Sequence, residues 1–133
     1  MRVVCIHNRP SRIEGEAIRR RIARSIHLDV VAELAVGKEY LVQAIQESDD
    51  GLVFFVHSID EIPYPTPYPA EMFDVRDGTI PAGWCVALRD CPAGKVIKRV
   101  AFYEWAHNDD FYEMLVDGNS TATDAYQRMM ARN

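Results

Sequence analysis

Apolar positions recur along the chain with two periods, and the places where the period changes mark its elements. Across residues 34–75 the period is two. Tyr40, Val42 and Ala44 fall on one side of an extended segment, with Leu41, Gln43 and Ile45 on the other. Ser48-Asp49-Asp50-Gly51 then reads as a turn, its Asp-Gly pair being a strong hairpin signal. In the next segment Leu52, Phe54 and Val56 oppose Val53, Phe55 and Ile59, so the strand is apolar on both faces. Such a strand needs a cover on its second face, and the flanking helices are expected to provide it. Pro63, Pro65, Pro67 and Pro69 alternate with Tyr64, Thr66 and Tyr68. Proline has no N–H to donate, so this run is expected to be an edge or an extended, polyproline-like loop that stays open. Pairing resumes over residues 71–75, and Asp77-Gly78 turns the chain again. Trp84, Val86 and Leu88 alternate in a fifth strand, and residues 3–8 form a short first one. Residues 96–105 begin with β-branched side chains and end with helix-compatible ones, so both states stay open there.

Elsewhere the period lengthens. Ile18, Ile22 and Ile26, with Ile13 and Ala17 nearby, predict an amphipathic helix to about residue 25 or 26. Ser11 and Glu14 have the S-x-x-E spacing of a capping box, and Gly15 weakens the first turn. Near the C-terminal end, Asn108 or Asp109 is placed to cap a helix carrying Phe111, Tyr112 and Leu115, which Asp117-Gly118-Asn119 stops. Thr121 and Asp124 resemble a second capping box, followed by Ala122, Ala125, Tyr126, Met129 and Met130 at helical spacing. The expectation is one mainly β, α+β domain. Its small barrel occupies residues 1–8 and 34–90, with a helical insertion at 11–27 and a helical part at 108–132.

Composition adds limits rather than chemistry. With 133 residues, 48% of them hydrophobic and 26% charged, the chain is long enough to bury a core without staples. No apolar run approaches the roughly 20 residues of a membrane helix, and no signal-peptide pattern opens the sequence. Cys5, Cys85 and Cys91 are odd in number and none lies in a C-x-x-C, so a reduced, cytoplasmic protein is expected. Charge is segregated. Residues 9–27 hold six arginines (9, 12, 19, 20, 21 and 24) against Glu14 and Glu16, a net of +4, which leaves −9 for the rest of a chain of net −5. Residues 100–127 hold Glu104, Asp109, Asp110, Glu113, Asp117 and Asp124, with no lysine or arginine. Either patch is a candidate docking surface, unless the two face each other.

Candidate chemistry is sparse. Cys5 and His7 share a strand face, with His57 and Cys85 on other strands, but four converging ligands with tight local pairs are lacking. A buried thiol beside a hydrogen-bonded histidine accounts for them better, so no metal and no cofactor is expected. His107, Asp109, Asp110 and Glu113 cluster beside Trp105, yet carboxylates at a helix start are already explained by capping and the helix dipole. There is no nucleophile elbow, no H-E-x-x-H, and the seven glycines are scattered as turn glycines are. Arg20, Arg21 and Arg24, with Arg19, invite a nucleic-acid reading, which the overall acidity opposes. Tyr64 and Tyr68 in the proline run invite recognition by an aromatic groove, although alternating prolines also block edge-to-edge aggregation.

VCIHN at 4–8, LAVGKEYLV at 34–42 and YPAEMFDV at 68–75 resemble a loose class of small bacterial and phage-borne proteins. Its running pattern is C-I-x-N, then L-T-V-G-K-x-Y-x-V, then Y-P-x-x-x-F-E-V, and the match covers under half the chain. The resemblance implies an SH3-like barrel; most members of the class have no assigned function. The basic helix between the first two strands and the acidic, aromatic segment after the barrel depart from the pattern, and a specific function is expected to sit there. The first expectation is a non-catalytic protein-binding module, in one form an immunity- or antitoxin-like inhibitor whose acidic tail, Asp109, Asp110 and Glu113 included, covers a basic partner. The alternative is a small-barrel RNA- or DNA-binding protein that uses the arginine helix. An enzyme with its site at His107 and its acidic neighbours ranks third.

Overall fold

The computed structural model describes residues 1–24, 32–48 and 51–132, and its contacts divide the chain into two compact units, Met1–Pro81 and Ala82–Asn133. The fold is α+β and mainly β. In the first unit, strands β1 (Arg2–Cys5), β2 (Glu39–Ser48), β3 (Gly51–Val56), β4 (Thr66–Pro69) and β5 (Phe73–Asp77) pair antiparallel in the order β4-β3-β2-β1-β5. Val3 stands opposite Tyr40 on one side and Val75 on the other, which makes β1 an interior strand, as its two-faced apolar pattern requires. The register of β2 against β3 shifts between Val42 and Ala44. An extra residue there lets Gln43 turn inward with its neighbours, so Val42, Gln43 and Ala44 are all buried in place of strict alternation.

A closed barrel was expected; the sheet is open. β4 and β5 are its outer strands, and Pro67 and Pro69 have no N–H to offer a further strand beyond β4. The proline run is nonetheless not a free loop, because residues 66–69 pair with β3 and Tyr68 and Pro65 are buried. A 3-10 turn, Ala70–Met72, carries the chain from β4 to β5 and packs against β3 through the fully buried Met72. Phe73 follows directly and gathers the ring cluster of this unit, with Phe54, Tyr40 and Tyr68 at centroid distances of 5.9, 6.4 and 6.5 Å. Part of the cover for β3 therefore comes from a turn that the apolar pattern did not announce. Leu52 remains exposed at the strand's start.

The first helix differs from its sequence signature. Pro10–Arg12 is a 3-10 turn, and helix α1 (Glu16–Ile22) begins only after Gly15, whose φ of 99° is left-handed. No side chain caps either element, so Ser11 and Glu14 form no capping box. Proline at the first position of the turn fixes a tight i→i+3 geometry, Ile13 N–H donating to Pro10 O, before an α-helix has started. Of α1, Ile22 alone is buried. The expected extension to residues 25–27, the position of Ile26 and the Asp49-Asp50 part of the turn lie outside the described residues.

The second unit opens with a hairpin of β6 (Trp84–Cys91) and β7 (Gly94–Phe102), which runs directly into α2 (Tyr103–Ala106). Both readings of residues 96–105 were partly right: strand to Phe102, helix beyond it. Helices α3 (Phe111–Val116) and α4 (Ser120–Ala131) complete the unit. Trp105, Phe111, Leu115, Ala122, Ala125 and Tyr126 are buried in its core. Trp105 stacks on Phe111 and Tyr112 at 5.5 and 5.9 Å, and Phe102 meets Phe111 edge-on at 5.4 Å.

Candidate binding groove

Helices α2, α3 and α4 create a concavity in the second unit, and hydrogen bonds hold each in place. α2 is clasped from below by Arg99 of β7, whose Nη1 donates to the carbonyls of Trp105 and Ala106 at 3.2 and 3.0 Å. Between α2 and α3, the Asn108 side chain accepts from Asp110 N–H at 3.0 Å, an Asx turn that sets the start of α3. The same side chain donates to the Met114 sulfur at 3.6 Å. α3 ends in a Schellman motif: Gly118 N–H donates to Leu115 O and Asn119 N–H to Met114 O, with Gly118 at φ 76°. Asn119 then caps α4, its Oδ1 accepting from Ala122 N–H at 3.2 Å. The sequence placed this start at Thr121 with Asp124. Asn119 takes the role because the Schellman turn already fixes its backbone against the end of α3.

The result is a groove of about 380 Å³. Its floor is apolar, made by Phe111, Met114, Ala122 and Ala125. Tyr103, Glu104, His107, Asn108, Thr121 and Arg128 form the rim. Tyr103 and His107, one helical turn apart and both exposed, bring their rings to 4.6 Å. Ala122 and Ala125 matter through size, since small side chains on α4 leave the space that Phe111 and Met114 face. Pockets with an apolar lining and a few polar rim groups are the usual form of a binding site.

The six carboxylates of residues 100–127 are not equivalent. Asp109 pairs with Lys98 and, at 3.4 Å, with Arg99, and the hydrogen bond from Lys98 is the main cause holding its carboxyl below the usual aspartate range. Glu104, Asp110, Glu113, Asp117 and Asp124 are exposed. Glu104 lies on the rim itself, and Asp110 immediately precedes Phe111 of the floor. Asp109 is thus a structural ion, while Asp110 and Glu113 present charge to solvent.

The other sequence candidates are distributed through the first unit. Arg20 makes a surface i,i+4 pair with Glu16 at 2.8 Å. Arg21 pairs with Glu71 of the 3-10 turn, and Arg19 Nη1 donates to Ile13 O at 2.6 Å. Arg24 is exposed just beyond α1. Arg19 and Arg21 are therefore already engaged in holding α1 and its approach. Tyr68 points inward, with its hydroxyl 2.6 Å from Ser58 Oγ, and burial raises its pKa; Tyr64 is half-buried. The structure does not assemble Tyr64 and Tyr68 into an exposed aromatic rim, because alternation in β4 sends Tyr68 to the core. Cys5 is buried, its thiol donating to His7 O at 3.3 Å, and burial pushes its pKa up. Among the described residues, no group of three or more His, Cys, Asp or Glu is placed to hold a metal ion, and no helix is long and apolar enough to cross a membrane.

Of the groove residues, the sequence pointed to His107 in its acidic cluster and to Glu104 in the acidic segment, and it gave Asn108 and Thr121 as helix caps and Phe111, Ala122 and Ala125 as helix-face positions. Tyr103, Met114 and Arg128 carried no signal of their own. The spacing of Ala122 and Ala125 on one helix face was visible, but it is equally that of an ordinary packed helix. No family model, no curated protein and no solved structure matches the chain.

Proposed function

We propose that this chain is a non-catalytic protein-binding module in which the first unit is the scaffold and the α2–α3–α4 groove receives the partner. The observation that carries the reading is the groove: an apolar floor beneath a polar rim, on helices fixed by an Arg99 clasp, a Schellman turn and an Asn119 cap. The immunity- or antitoxin-like form of the proposal, with a basic partner, draws its support from Glu104 on the rim of that groove and from the exposed Asp110 and Glu113 in the α3 segment.

For the scaffold, an SH3-like relationship has three supports. The strand order is β4-β3-β2-β1-β5, the ten-residue β2 contributes to pairing on both sides and shifts register at Gln43, and a 3-10 turn separates β4 from β5. The test is affinity capture with the intact chain and with Thr121→Trp, which places a bulky ring at the exposed rim of the groove. A partner retained by the native chain and lost from the variant supports the reading. Equal recovery on both, or no partner at all, overturns it.

A further inference from the structure

We propose that the open edge of β5 receives a second copy of this chain, the two β5 strands pairing antiparallel about a two-fold axis at Val75. The proposal goes beyond the groove reading above and does not depend on it. The sheet of the first unit has two outer strands, and they differ. At β4, Pro67 and Pro69 have no N–H to offer a further strand, whereas β5 holds no proline and pairs on one side only, with β1. Ile6 N–H donates to Met72 O at 2.9 Å. In the alternation of an antiparallel ladder Asp74 then turns its backbone groups to β1, and Val75 turns its N–H and C=O to the open side. Two copies related by a two-fold axis there exchange both Val75 hydrogen bonds.

The side chains of this edge match a copy of themselves in two ways. Val3 stands opposite Tyr40 of β2 on one side and Val75 of β5 on the other, and residues so paired point to the same face. Along that row exposure is 6% at Tyr40, 0% at Val3 and 52% at Val75, so an apolar line buried in β2 and β1 ends uncovered at the edge. Pairing Val75 with its equivalent in a second copy carries the line across the axis. Charge then sets the direction. Asp74 and Arg76 flank Val75, both are exposed, and neither forms an ion pair among the described residues. Antiparallel pairing centred on Val75 places Asp74 of each copy opposite Arg76 of the other, whereas parallel pairing in register would set like charges side by side. An unrelated strand would find the same backbone groups, but the order Asp-Val-Arg is its own antiparallel complement. The register of β5 against β1 shifts just beyond Val75, which ends the regular stretch and keeps the contact short. A contact of this size makes a dimer that forms and dissociates with concentration.

The experiment is sedimentation equilibrium of the full chain over about two decades of concentration, reaching several hundred micromolar. The native chain should dimerise reversibly. Asp74→Arg or Arg76→Asp alone should weaken the dimer about tenfold, since each sets like charges across the axis in two places. Mixing the two variants brings an Arg-Val-Arg strand against an Asp-Val-Asp strand and should restore association as a heterodimer. A chain that stays monomeric, a dimer that ignores both variants, or a mixture that fails to associate overturns the proposal. Amide hydrogen exchange tests the same edge without any substitution: Val75 N–H should exchange about tenfold more slowly in the dimer than in dilute solution, and an unchanged rate overturns the proposal. Thr121→Trp should leave the dimer intact; its loss would place the contact at the groove and overturn pairing through β5. Absence of the dimer leaves the groove reading standing, and failure of partner capture leaves the dimer standing, so the two are separable.

Discussion

Arg99 Nη2 lies 3.4 Å from Asp109 Oδ1, while Nη1 of the same guanidinium donates to the carbonyls of Trp105 and Ala106. Arg99 is 4% exposed and the Asp109 side chain 66% exposed, so the two ends of this pair carry different weight. The arginine donates to the Ala106 carbonyl and shares the Trp105 carbonyl with Asn108 N–H, and the aspartate mainly offsets its charge at the surface. Replacing Arg99 by methionine is expected to cost about 1–3 kcal/mol in urea unfolding, from the loss of its bond to the Ala106 carbonyl. Asp109→Asn should cost under about 1 kcal/mol, as exposed ion pairs do. A larger effect of Asp109→Asn than of Arg99→Met would contradict this division. Because Asp109 is tied in this way, charge reversals intended to probe binding belong at Glu104, Asp110 or Glu113 instead.

Gly51 opens β3 at φ 106°, and a Cβ built there would lie 2.9 Å from Arg21 Nη2. Arg21 in turn pairs with Glu71 of the 3-10 turn, so the glycine leaves room for the side chain that joins α1 to the sheet. Gly51→Ala meets both a left-handed backbone and that contact. The expected loss is about 1–3 kcal/mol. Gly51→Ala in an Arg21→Ala background should recover the part due to the contact and retain the part due to φ. A strictly additive double-mutant cycle would show that the contact contributes nothing.

The sequence-level reading reached the strands of the first unit because β-branched and aromatic residues there alternate plainly, and the buried faces of Tyr40, Val42, Phe54 and Val56 match that alternation. It missed the inward turn of Gln43, since a bulge depends on pairing with β3 and not on any residue of β2 alone. It missed both helix starts for a related reason. Ser11–Glu14 and Thr121–Asp124 have the right spacing, but Pro10 in one case and the Schellman turn at Gly118 in the other had already fixed the backbone. The groove was illegible because its rim and floor come from three helices, and only folding brings Glu104 near Arg128.

The three thiols differ in burial: Cys5 is 1% exposed, whereas Cys85 and Cys91 on β6 are half-buried. Desolvation also raises the pKa of Cys5, which lowers its thiolate fraction. Iodoacetamide at neutral pH is expected to alkylate Cys85 and Cys91 in the native protein and Cys5 only after denaturation. Mass spectrometry of tryptic peptides reads this directly. Early alkylation of Cys5 would mean that β1 does not hold its interior place between β2 and β5.

Asn119 serves two helices at once, its N–H closing the end of α3 and its side chain capping α4. Asn119→Ala keeps the backbone bond and removes the cap, at an expected cost of about 1 kcal/mol. Asn119→Asp should retain the cap and restore stability. If alanine and aspartate prove equally destabilising, the side chain is not capping α4 and the groove floor has lost one of its supports.

His57 gives the fold a pH dependence whose sign follows from its surroundings. Burial lowers its pKa from the ordinary histidine value, and the negative charge of Asp60 opposes that shift only in part. Between the folded and unfolded pKa values the unfolded chain therefore binds more protons than the native one, and stability rises with pH. The native state keeps this contribution above about pH 6.5, the value of an unperturbed histidine, and loses it as pH falls toward the lower folded pKa. His57→Asn should flatten that part of the profile while leaving intact the separate loss near pH 4 and below that the depressed Asp109 carboxyl produces. Urea midpoints measured from pH 7.5 down to about 3 separate the two. An unchanged slope in His57→Asn would assign the dependence to another group.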